Sequence, residues 1–174
     1  MLKGCNLLRI VMSTSLLRHT KKEPQPRQIT SMTKILIFGL PGSGKSTLAE
    51  PFAKLIGGVW INADQVRTKY DDWDFTPEGR IRQAQRMKHL ADGAVMAGKI
   101  VVADFVCPTE SARSEFAPDY TVWMNTIKEG RFEDTNQMFE PPVECNYHVA
   151  KWFNDTDTQL LEIVQSWMKR NGLQ

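Results

Sequence analysis

The sequence predicts a three-layer α/β domain, in which a parallel sheet of about five strands is flanked by helices. From residue 34 onward, short apolar segments alternate with longer amphipathic ones, which is typical of βαβ units. A glycine-rich segment, GLPGSGKS at residues 39–46, lies between the first apolar segment and a helical pattern. A chain of 174 residues suits one such domain with a sizeable core.

Each element of this fold has its own pattern in the sequence. The predicted strands are the apolar segments 34–38, 59–61, 99–105, 120–126 and 147–152. A helix is expected over residues 45–56, ended by two glycines, and a second begins at Thr76-Pro77, an N-cap followed by proline. The apolar side of that second helix is expected to carry Ile81, Ala84, Met87, Leu90, Ala94 and Val95. A last helix over 155–172 has Leu160, Leu161, Ile163, Val164 and Trp167 at helical spacing.

Residues 1–33 differ from the remainder and are expected to form a tail before the domain at 34–174. They carry six Lys or Arg residues and a single acidic residue, Glu23. This composition resembles a mitochondrial targeting segment. The favoured interpretation, however, is that Met32 is the true start, with a disordered or untranslated segment before it and a cytoplasmic protein after it; mitochondrial targeting is the alternative.

Composition excludes several classes of protein. The net charge is +2, and because the tail is basic the domain shows no basic bias toward nucleic acid. The three cysteines form no CxxC pair, which argues against a disulfide framework or a zinc site. No apolar run approaches the ~18 residues that span a bilayer. An intracellular protein with no membrane segment is expected.

The glycine-rich segment matches the pattern G-x-x-x-x-G-K-[ST] of a phosphate-binding loop at every fixed position. Its glycines let backbone N–H groups converge on phosphate oxygens, and the following helix points its positive end at them. Lys45 can reach the β- and γ-phosphates, and the Ser46 hydroxyl is a hard ligand for Mg²⁺. ATP and Mg²⁺ are therefore the predicted cofactors. The loop residues predicted to hold the nucleotide are Gly39, Pro41, Gly42, Ser43, Gly44, Lys45, Ser46 and Thr47.

Chain length separates the classes of protein that use such a loop. Residues 34–174 leave little room for the extra strands and switch segments of a GTPase, and none for the insertions of a motor. No N-K-x-D stretch that would read guanine occurs. The favoured class is a small kinase whose second substrate docks beside the loop.

Past the loop, the sequence resembles the adenylylsulfate kinases, which phosphorylate the 3′-hydroxyl of adenosine 5′-phosphosulfate. NADQVR (62–67) is similar to that family's D-G-D-N-[VI]-R, and DFTPEGRIRQAQR (74–86) to its G-F-S-x-x-x-R-x-x-N-x-x-R. FVCPTESAR (105–113) is a weaker match to F-[IV]-S-P-Y-R-x-x-R. The resemblance implies transfer of the γ-phosphate of Mg·ATP to that hydroxyl, as in sulfate assimilation.

The resemblance also implies roles for the matching residues. Asp64 is the candidate catalytic base for the acceptor hydroxyl and acts beside Lys45; its alternative role is a helix N-cap. The residues implied to bind the acceptor are Asp64, Arg67, Phe75, Arg80, Gln83 and Arg113. For Arg67 and Arg80 the alternative is a solvated ion pair on a helix, and for Phe75 it is a buried aromatic.

Other candidates come from local patterns alone. Asp104 ends an apolar segment and resembles a Walker B carboxylate that would hold Mg²⁺ together with Ser46. The acidic segment 71–74 predicts a solvated loop rather than a metal cluster. Cys107 is expected to be a packed thiol, and Trp152 is expected in the core.

Two departures from the family pattern leave the acceptor open. Glu110 stands where the family has an arginine, and segment 127–142 is shorter and more acidic than the family's basic lid. Arg131 is the candidate nucleotide-stacking arginine of this segment, and Asn136 and Phe139 are candidates to close over the adenine of ATP.

Adenylylsulfate is the favoured small anionic acceptor. The departures also favour a kinase for another hydroxyl, on a nucleoside, a sugar acid or a polynucleotide end. A nucleotide-binding regulatory module is the third alternative, because poor closure would leave water in the site. The oligomeric state, a homodimer included, stays open.

Overall fold

The computed structural model describes residues 33–173. Its five strands are β1 (Lys34–Gly39), β2 (Val59–Asn62), β3 (Val101–Asp104), β4 (Tyr120–Met124) and β5 (Tyr147–Val149). All strand pairs are parallel, in the order β2-β3-β1-β4-β5. The helices are α1 (Lys45–Ile56), α2 (Ala63–Tyr70), α3 (Pro77–Met96), α4 (Glu110–Phe116), α5 (Glu133–Met138) and α6 (Thr156–Arg170). The predicted fold class is therefore confirmed.

Strand β1 lies at the centre of the sheet and is buried along its whole length. Its side chains alternate between two apolar clusters, as the period of a strand requires. Ile35 and Ile37 pack with residues of α1 and α6, while Leu36 and Phe38 pack with residues of α3 and α4. Helices therefore cover both faces, giving the three layers.

Helix α2 was anticipated only through the alternative role of Asp64 as an N-cap, and two shorter helices, α4 and α5, were not predicted. With 7 and 6 residues, they are too short for the 3.6-residue period to be visible in the sequence. The cap predicted at Thr76 is confirmed, because its hydroxyl accepts a hydrogen bond from the Gly79 N–H at 3.2 Å. Three strands are shorter than predicted, because the parallel pairing ends at Asp104 in β3, at Met124 in β4 and at Val149 in β5.

The apolar side predicted for α3 was partly wrong. Ile81 is 60% exposed, whereas Met87 is fully buried beneath Phe38 in the core. The buried residues of α3 are Gly79, Gln83, Met87 and Ala91, one every four positions. A glutamine and a glycine occupy the buried face near the start of the helix. A prediction from hydrophobicity alone therefore placed the buried face of α3 incorrectly.

Among the other side chains expected to be buried, Trp152 is exposed, whereas Cys107 is buried. Trp152, expected in the core, is 41% exposed and follows β5. Trp167 packs edge-on against Tyr120, with ring centroids 5.0 Å apart. Cys107 is buried and burial raises the pKa of its thiol to about 12, which confirms the expected packed thiol.

The tail predicted over residues 1–33 lies outside the described residues, except for Thr33. Thr33 is buried, and its carbonyl accepts a hydrogen bond from the Val101 N–H at 2.9 Å, so it extends the pairing between β1 and β3. Within residues 33–173, no helix combines the length and apolar character needed to cross a membrane.

The orientation of α3 can be tested with two substitutions on the same helix. Met87→Ala removes a fully buried side chain and should lower the free energy of unfolding by about 2–5 kcal/mol. Ile81→Ala removes an exposed one and should change it by less than about 1 kcal/mol. Urea denaturation followed by circular dichroism measures both. Equal losses would mean that the helix is rotated relative to this description.

Candidate active site

The phosphate loop connects β1 to α1. Gly39 ends the strand so close to β4 that a Cβ there would lie 2.3 Å from the Met124 carbonyl oxygen, so only glycine fits. Gly44 has φ 88°, a left-handed conformation, and is the N-cap of α1. The Ser43 hydroxyl is buried without a hydrogen-bond partner among the described residues. An orphaned polar atom beside a free helix N-terminus fits a bound phosphate.

The side chain of Lys45, the first residue of α1, folds back over the phosphate loop. Its Nζ donates a hydrogen bond to the Leu40 carbonyl oxygen at 2.9 Å. Burial lowers its pKa to about 8, an effect that the nearby carboxylates of Asp104 and Asp64 only partly offset. The side chain therefore lies between the loop and two carboxylates, where it can contact a phosphate chain.

The register of the sheet brings a carboxylate to the loop. Asp104 at the end of β3 is opposite Asn62 at the end of β2. Asn62 Nδ2 donates to Asp104 Oδ1 at 2.9 Å and to the Ser46 hydroxyl at 3.1 Å, and Trp60 Nε1 also donates to Asp104 at 3.2 Å. Burial raises the pKa of Asp104, while these hydrogen bonds oppose the shift.

Hydroxyl and carboxylate oxygens are the ligands that Mg²⁺ prefers. Ser46 and Asp104 supply one of each and share the Asn62 amide as a neighbour. These residues therefore fit the predicted magnesium site. Asn62 and Trp60 were not predicted as part of it, because nothing local in the sequence shows which strand ends meet.

A cavity of about 690 Å³ extends from the loop and is called the main cavity here. It is lined by the phosphate loop, the ends of β2 and β3, the segment 73–80 and the segment 131–135. Of the predicted site residues, it is lined by six of the loop, namely Pro41, Gly42, Gly44, Lys45, Ser46 and Thr47, and by Asp64, Phe75, Arg80, Asp104 and Arg131. The phosphate side and the acceptor side predicted from the sequence thus share one space.

Asp64 lies in the first turn of α2 and is exposed toward the main cavity. The alternative role as an N-cap is wrong, because Asn62 is the cap and accepts a hydrogen bond from the Gln65 N–H at 3.0 Å. The Asp64 side chain therefore does not cap α2. Its carboxylate is available to a bound acceptor.

Two aromatic side chains form one wall of the main cavity. Trp73 and Phe75 are both about half exposed, and their ring centroids lie 6.5 Å apart. The guanidinium carbon of Arg67 lies 4.5 Å from the Phe75 centroid, and that of Arg80 lies 5.9 Å from it. Phe75 is therefore held by cation–π contacts and is not the buried aromatic of the alternative interpretation.

Arg67 does not reach the main cavity, and neither predicted role describes it. It is buried, and its Nη1 donates to the carbonyl oxygens of Asp72 and Asp74 at 2.9 and 3.0 Å. Burial lowers its pKa. The guanidinium shapes the loop that carries the aromatic wall, rather than clamping an anion or forming a solvated ion pair.

Gln83 and Arg113, both predicted to bind the acceptor, are also placed away from the main cavity. Gln83 is buried in α3, and its Nε2 donates to the Ala63 carbonyl oxygen at 3.0 Å. Arg113 is buried, and it donates to carbonyl oxygens of Cys107, Pro108 and Glu140 and to the Glu110 carboxylate. The donor groups of both side chains are therefore engaged in hydrogen bonds to other segments of the protein, and neither side chain lines the main cavity.

The acidic segment 71–74 is an ion-pair hub rather than a solvated loop. Asp72 accepts hydrogen bonds from Arg82 and Arg86, each at 2.7 Å, and Asp74 accepts one from Arg82 at 3.0 Å. Arg82 and Arg86 hold the pKa of Asp72 well below its usual range. Residues 33–173 contain no cluster of His, Cys, Asp and Glu suited to a metal.

The segment that follows β4 is held at both ends. The Asn136 amide bonds to both backbone groups of Gly130, at 2.8 and 3.1 Å. Phe139 stacks on Phe38, with ring centroids 6.4 Å apart. Asn136 and Phe139 line a separate cavity of about 380 Å³, not the main cavity. Their predicted closure over the adenine of ATP stays a prediction, as does stacking by Arg131.

The sheet order, the loop and the main cavity define a P-loop kinase fold. A family model described as an AAA domain matches residues 35–118, which include the phosphate loop and β3. A probable adenylyl-sulfate kinase of Aeropyrum pernix is 34% identical over 86 residues, which are 46% of this chain and 47% of that protein. The chain thus spans about half the length of the curated relative it matches.

Solved structures support the same fold. The adenylylsulfate (APS) kinase CysC of Mycobacterium tuberculosis, in complex with AMPPNP and APS, aligns with a TM-score of 0.59 and 14% identity, over 77% of this chain and 98% of that one. Shikimate kinase of Acinetobacter baumannii, in complex with shikimate, aligns with a TM-score of 0.52 and 18% identity, over 84% of this chain and 98% of that one. The predicted resemblance to adenylylsulfate kinases is confirmed by the curated relative.

The lowered pKa of Lys45 predicts that nucleotide affinity depends on pH. Below about pH 8 the ammonium form is present; above it the free protein holds the amine, and binding to phosphate must take up a proton. Affinity for Mg·ADP should fall by up to about tenfold per pH unit above that value. Calorimetry in buffers of different ionisation enthalpy measures affinity and proton uptake together. A Lys45→Met variant that kept the same pH dependence would contradict this origin.

The Asp72 hub predicts a loss of stability in acid. Because its pKa is lowered in the folded state, its contribution is complete above the ordinary value of 3.8 and is lost as the pH falls below it. Asp72→Asn should therefore lower the urea midpoint at neutral pH, and the difference from the natural protein should shrink below about pH 4. Asp71→Asn, at an exposed residue without an ion pair in the described chain, is the control and should change little. A constant difference across pH would contradict the role of ionised Asp72.

Proposed function

We propose that the protein is a Mg·ATP-dependent kinase that transfers the γ-phosphate to a hydroxyl group of a small acceptor, with adenylylsulfate as the leading acceptor. One observation carries the proposal. The phosphate loop, the Ser46–Asp104 pair and the exposed Asp64 carboxylate line one cavity whose other wall is aromatic and contains an arginine. A kinase needs its nucleotide site and its acceptor site to face each other across one cavity.

On the phosphate side, the chain supplies positive charge and fixed donors. The loop N–H groups and the Ser43 hydroxyl would hold the β- and γ-phosphate oxygens, and Lys45 would leave the Leu40 carbonyl to join them. Mg²⁺, held by Ser46 and Asp104, would neutralise charge on the same oxygens. Arg131 lies on the cavity rim, where it can contact the nucleotide.

On the acceptor side, Asp64 would accept the proton of the attacking hydroxyl and orient it toward the γ-phosphorus. Trp73 and Phe75 offer flat apolar faces suited to a base or another planar group. Arg80 is a guanidinium donor for an anionic group. An acceptor that has a base, a hydroxyl and an anionic group, as adenylylsulfate has, matches this set.

A second candidate is a kinase for another hydroxylated acceptor, such as a nucleoside or a sugar acid. It is favoured by the internal use of Arg67 and Arg113, two of the arginines that the adenylylsulfate kinase resemblance places at the acceptor. With those guanidinium groups committed to carbonyl oxygens, the cavity has fewer donors for sulfate and phosphate. A panel of hydroxylated acceptors separates the two candidates.

The kinase proposal is tested by ADP release from Mg·ATP with and without adenylylsulfate. We expect release in proportion to the added acceptor, and a loss of about 100-fold or more in kcat for both Lys45→Met and Asp64→Asn. Asp71→Asn is the matched control, since it makes the same change at an exposed aspartate outside the cavity.

Each other outcome has a distinct meaning. ADP release that needs no acceptor, or nucleotide binding without turnover on any acceptor, would overturn the kinase proposal in favour of a nucleotide-binding regulatory module. Release with a different acceptor alone would retain the kinase and replace adenylylsulfate.

A further inference from the structure

Arg80 is the arginine of α3 that lines the acceptor wall, and its Nε and Nη2 donors are engaged within the chain. Its Nε donates to the Phe75 carbonyl oxygen at 2.9 Å. Its Nη2 donates to the Asp134 carboxylate and to the Thr135 hydroxyl, the latter at 3.2 Å. Asp134 and Thr135 belong to α5, in the segment after β4, and both also line the main cavity.

The two partners of this ion pair differ in exposure. The Arg80 side chain is 18% exposed, whereas that of Asp134 is 64% exposed. An ion pair with one partner largely in water is weak, because water and salt compete for its charges. Arg80 is held by other contacts too, namely the Phe75 carbonyl and the Thr135 hydroxyl. Asp134 is thus the exchangeable partner and Arg80 the fixed one.

A carboxylate on a guanidinium makes the same charge-assisted hydrogen bonds as a sulfate, a phosphate or the carboxylate of a sugar acid. The Asp134 carboxylate therefore occupies the position that an anionic group of an acceptor would take on Arg80. Arg67 and Arg113 offer no substitute, because their guanidinium groups are buried on backbone carbonyls.

We propose that Asp134 is a specificity-determining residue that competes with an anionic acceptor for Arg80. An anionic acceptor must displace the Asp134 carboxylate and therefore binds more weakly. An uncharged acceptor does not need to displace it. The inference rests on the proposed function in that the acceptor occupies this wall of the main cavity. Asp134 thereby sets how strongly the protein discriminates between charged and uncharged acceptors.

The first test measures the exchange without any assumption about the acceptor. Inorganic sulfate is titrated into the full chain saturated with Mg·ADP, with binding followed by calorimetry and by Trp fluorescence. Asp134→Asn should tighten sulfate binding by about two- to fivefold, the upper part of the range expected for loss of an exposed ion pair. The matched control is Glu133→Gln, which removes the same charge from the neighbouring exposed residue of α5 and should change it less than about twofold.

A double variant locates the effect. If sulfate binds Arg80, adding Arg80→Ala to Asp134→Asn should abolish the gain. Unchanged or weaker sulfate binding in Asp134→Asn would overturn the proposal, since Asp134 would then only hold Arg80 in place. An equal gain in Glu133→Gln would also overturn it, because general charge would be the cause.

The second test compares acceptors of different charge, with KM for adenylylsulfate and for adenosine measured in the natural protein and in Asp134→Asn. The proposal expects a lower KM for adenylylsulfate and an unchanged KM for adenosine. Tighter sulfate binding without turnover of either acceptor would refute adenylylsulfate as the acceptor and leave the competition of Asp134 for Arg80 intact. Turnover with no change in KM or in sulfate binding would refute only the role of Asp134.

Discussion

The parallel pairing of β1 with β3 on one side and β4 on the other determines where the chemistry of this protein lies. Ile37 is opposite Asp104 on β3, and Gly39 is opposite Met124 on β4. The chain therefore enters the phosphate loop two residues beyond the level at which β3 ends with Asp104. Asn62, opposite Asp104 on β2, completes the row and connects the carboxylate to the Ser46 hydroxyl. A shift of register by one residue would separate these groups.

The main cavity has two halves with different physical origins. The phosphate half is built from contiguous residues, whose glycines and helix start create a site for anions almost independently of the surroundings. The acceptor half is built from segments far apart in the chain, including 73–80 and 131–135. Its chemistry depends on which donor meets which acceptor across those segments, so a single exposed carboxylate in α5 can change it.

This difference explains what could be predicted from the sequence. Strand periodicity and the loop pattern predicted the fold, and also placed Lys45, Ser46 and Asp104 near one another, because parallel strands bring their carboxyl ends to one edge. Arg67 and Arg113 match the family pattern and Gln83 replaces its Asn, yet the sequence does not reveal that backbone carbonyl oxygens of neighbouring segments take up their donors. A residue type specifies what a side chain can donate, but its partner depends on tertiary packing.

The buried guanidinium of Arg113 has a consequence for the sequence itself. It joins the loop after β3, through the Cys107 and Pro108 carbonyls, to the segment after β4, through the Glu140 carbonyl. Glu140 in turn accepts a hydrogen bond from the Glu110 N–H at 2.7 Å. Loss of Arg113 would remove a donor from three carbonyl groups at once, of which that of Cys107 belongs to a buried residue. The guanidinium therefore couples the two segments, and a graft of a longer lid onto this scaffold must keep that junction.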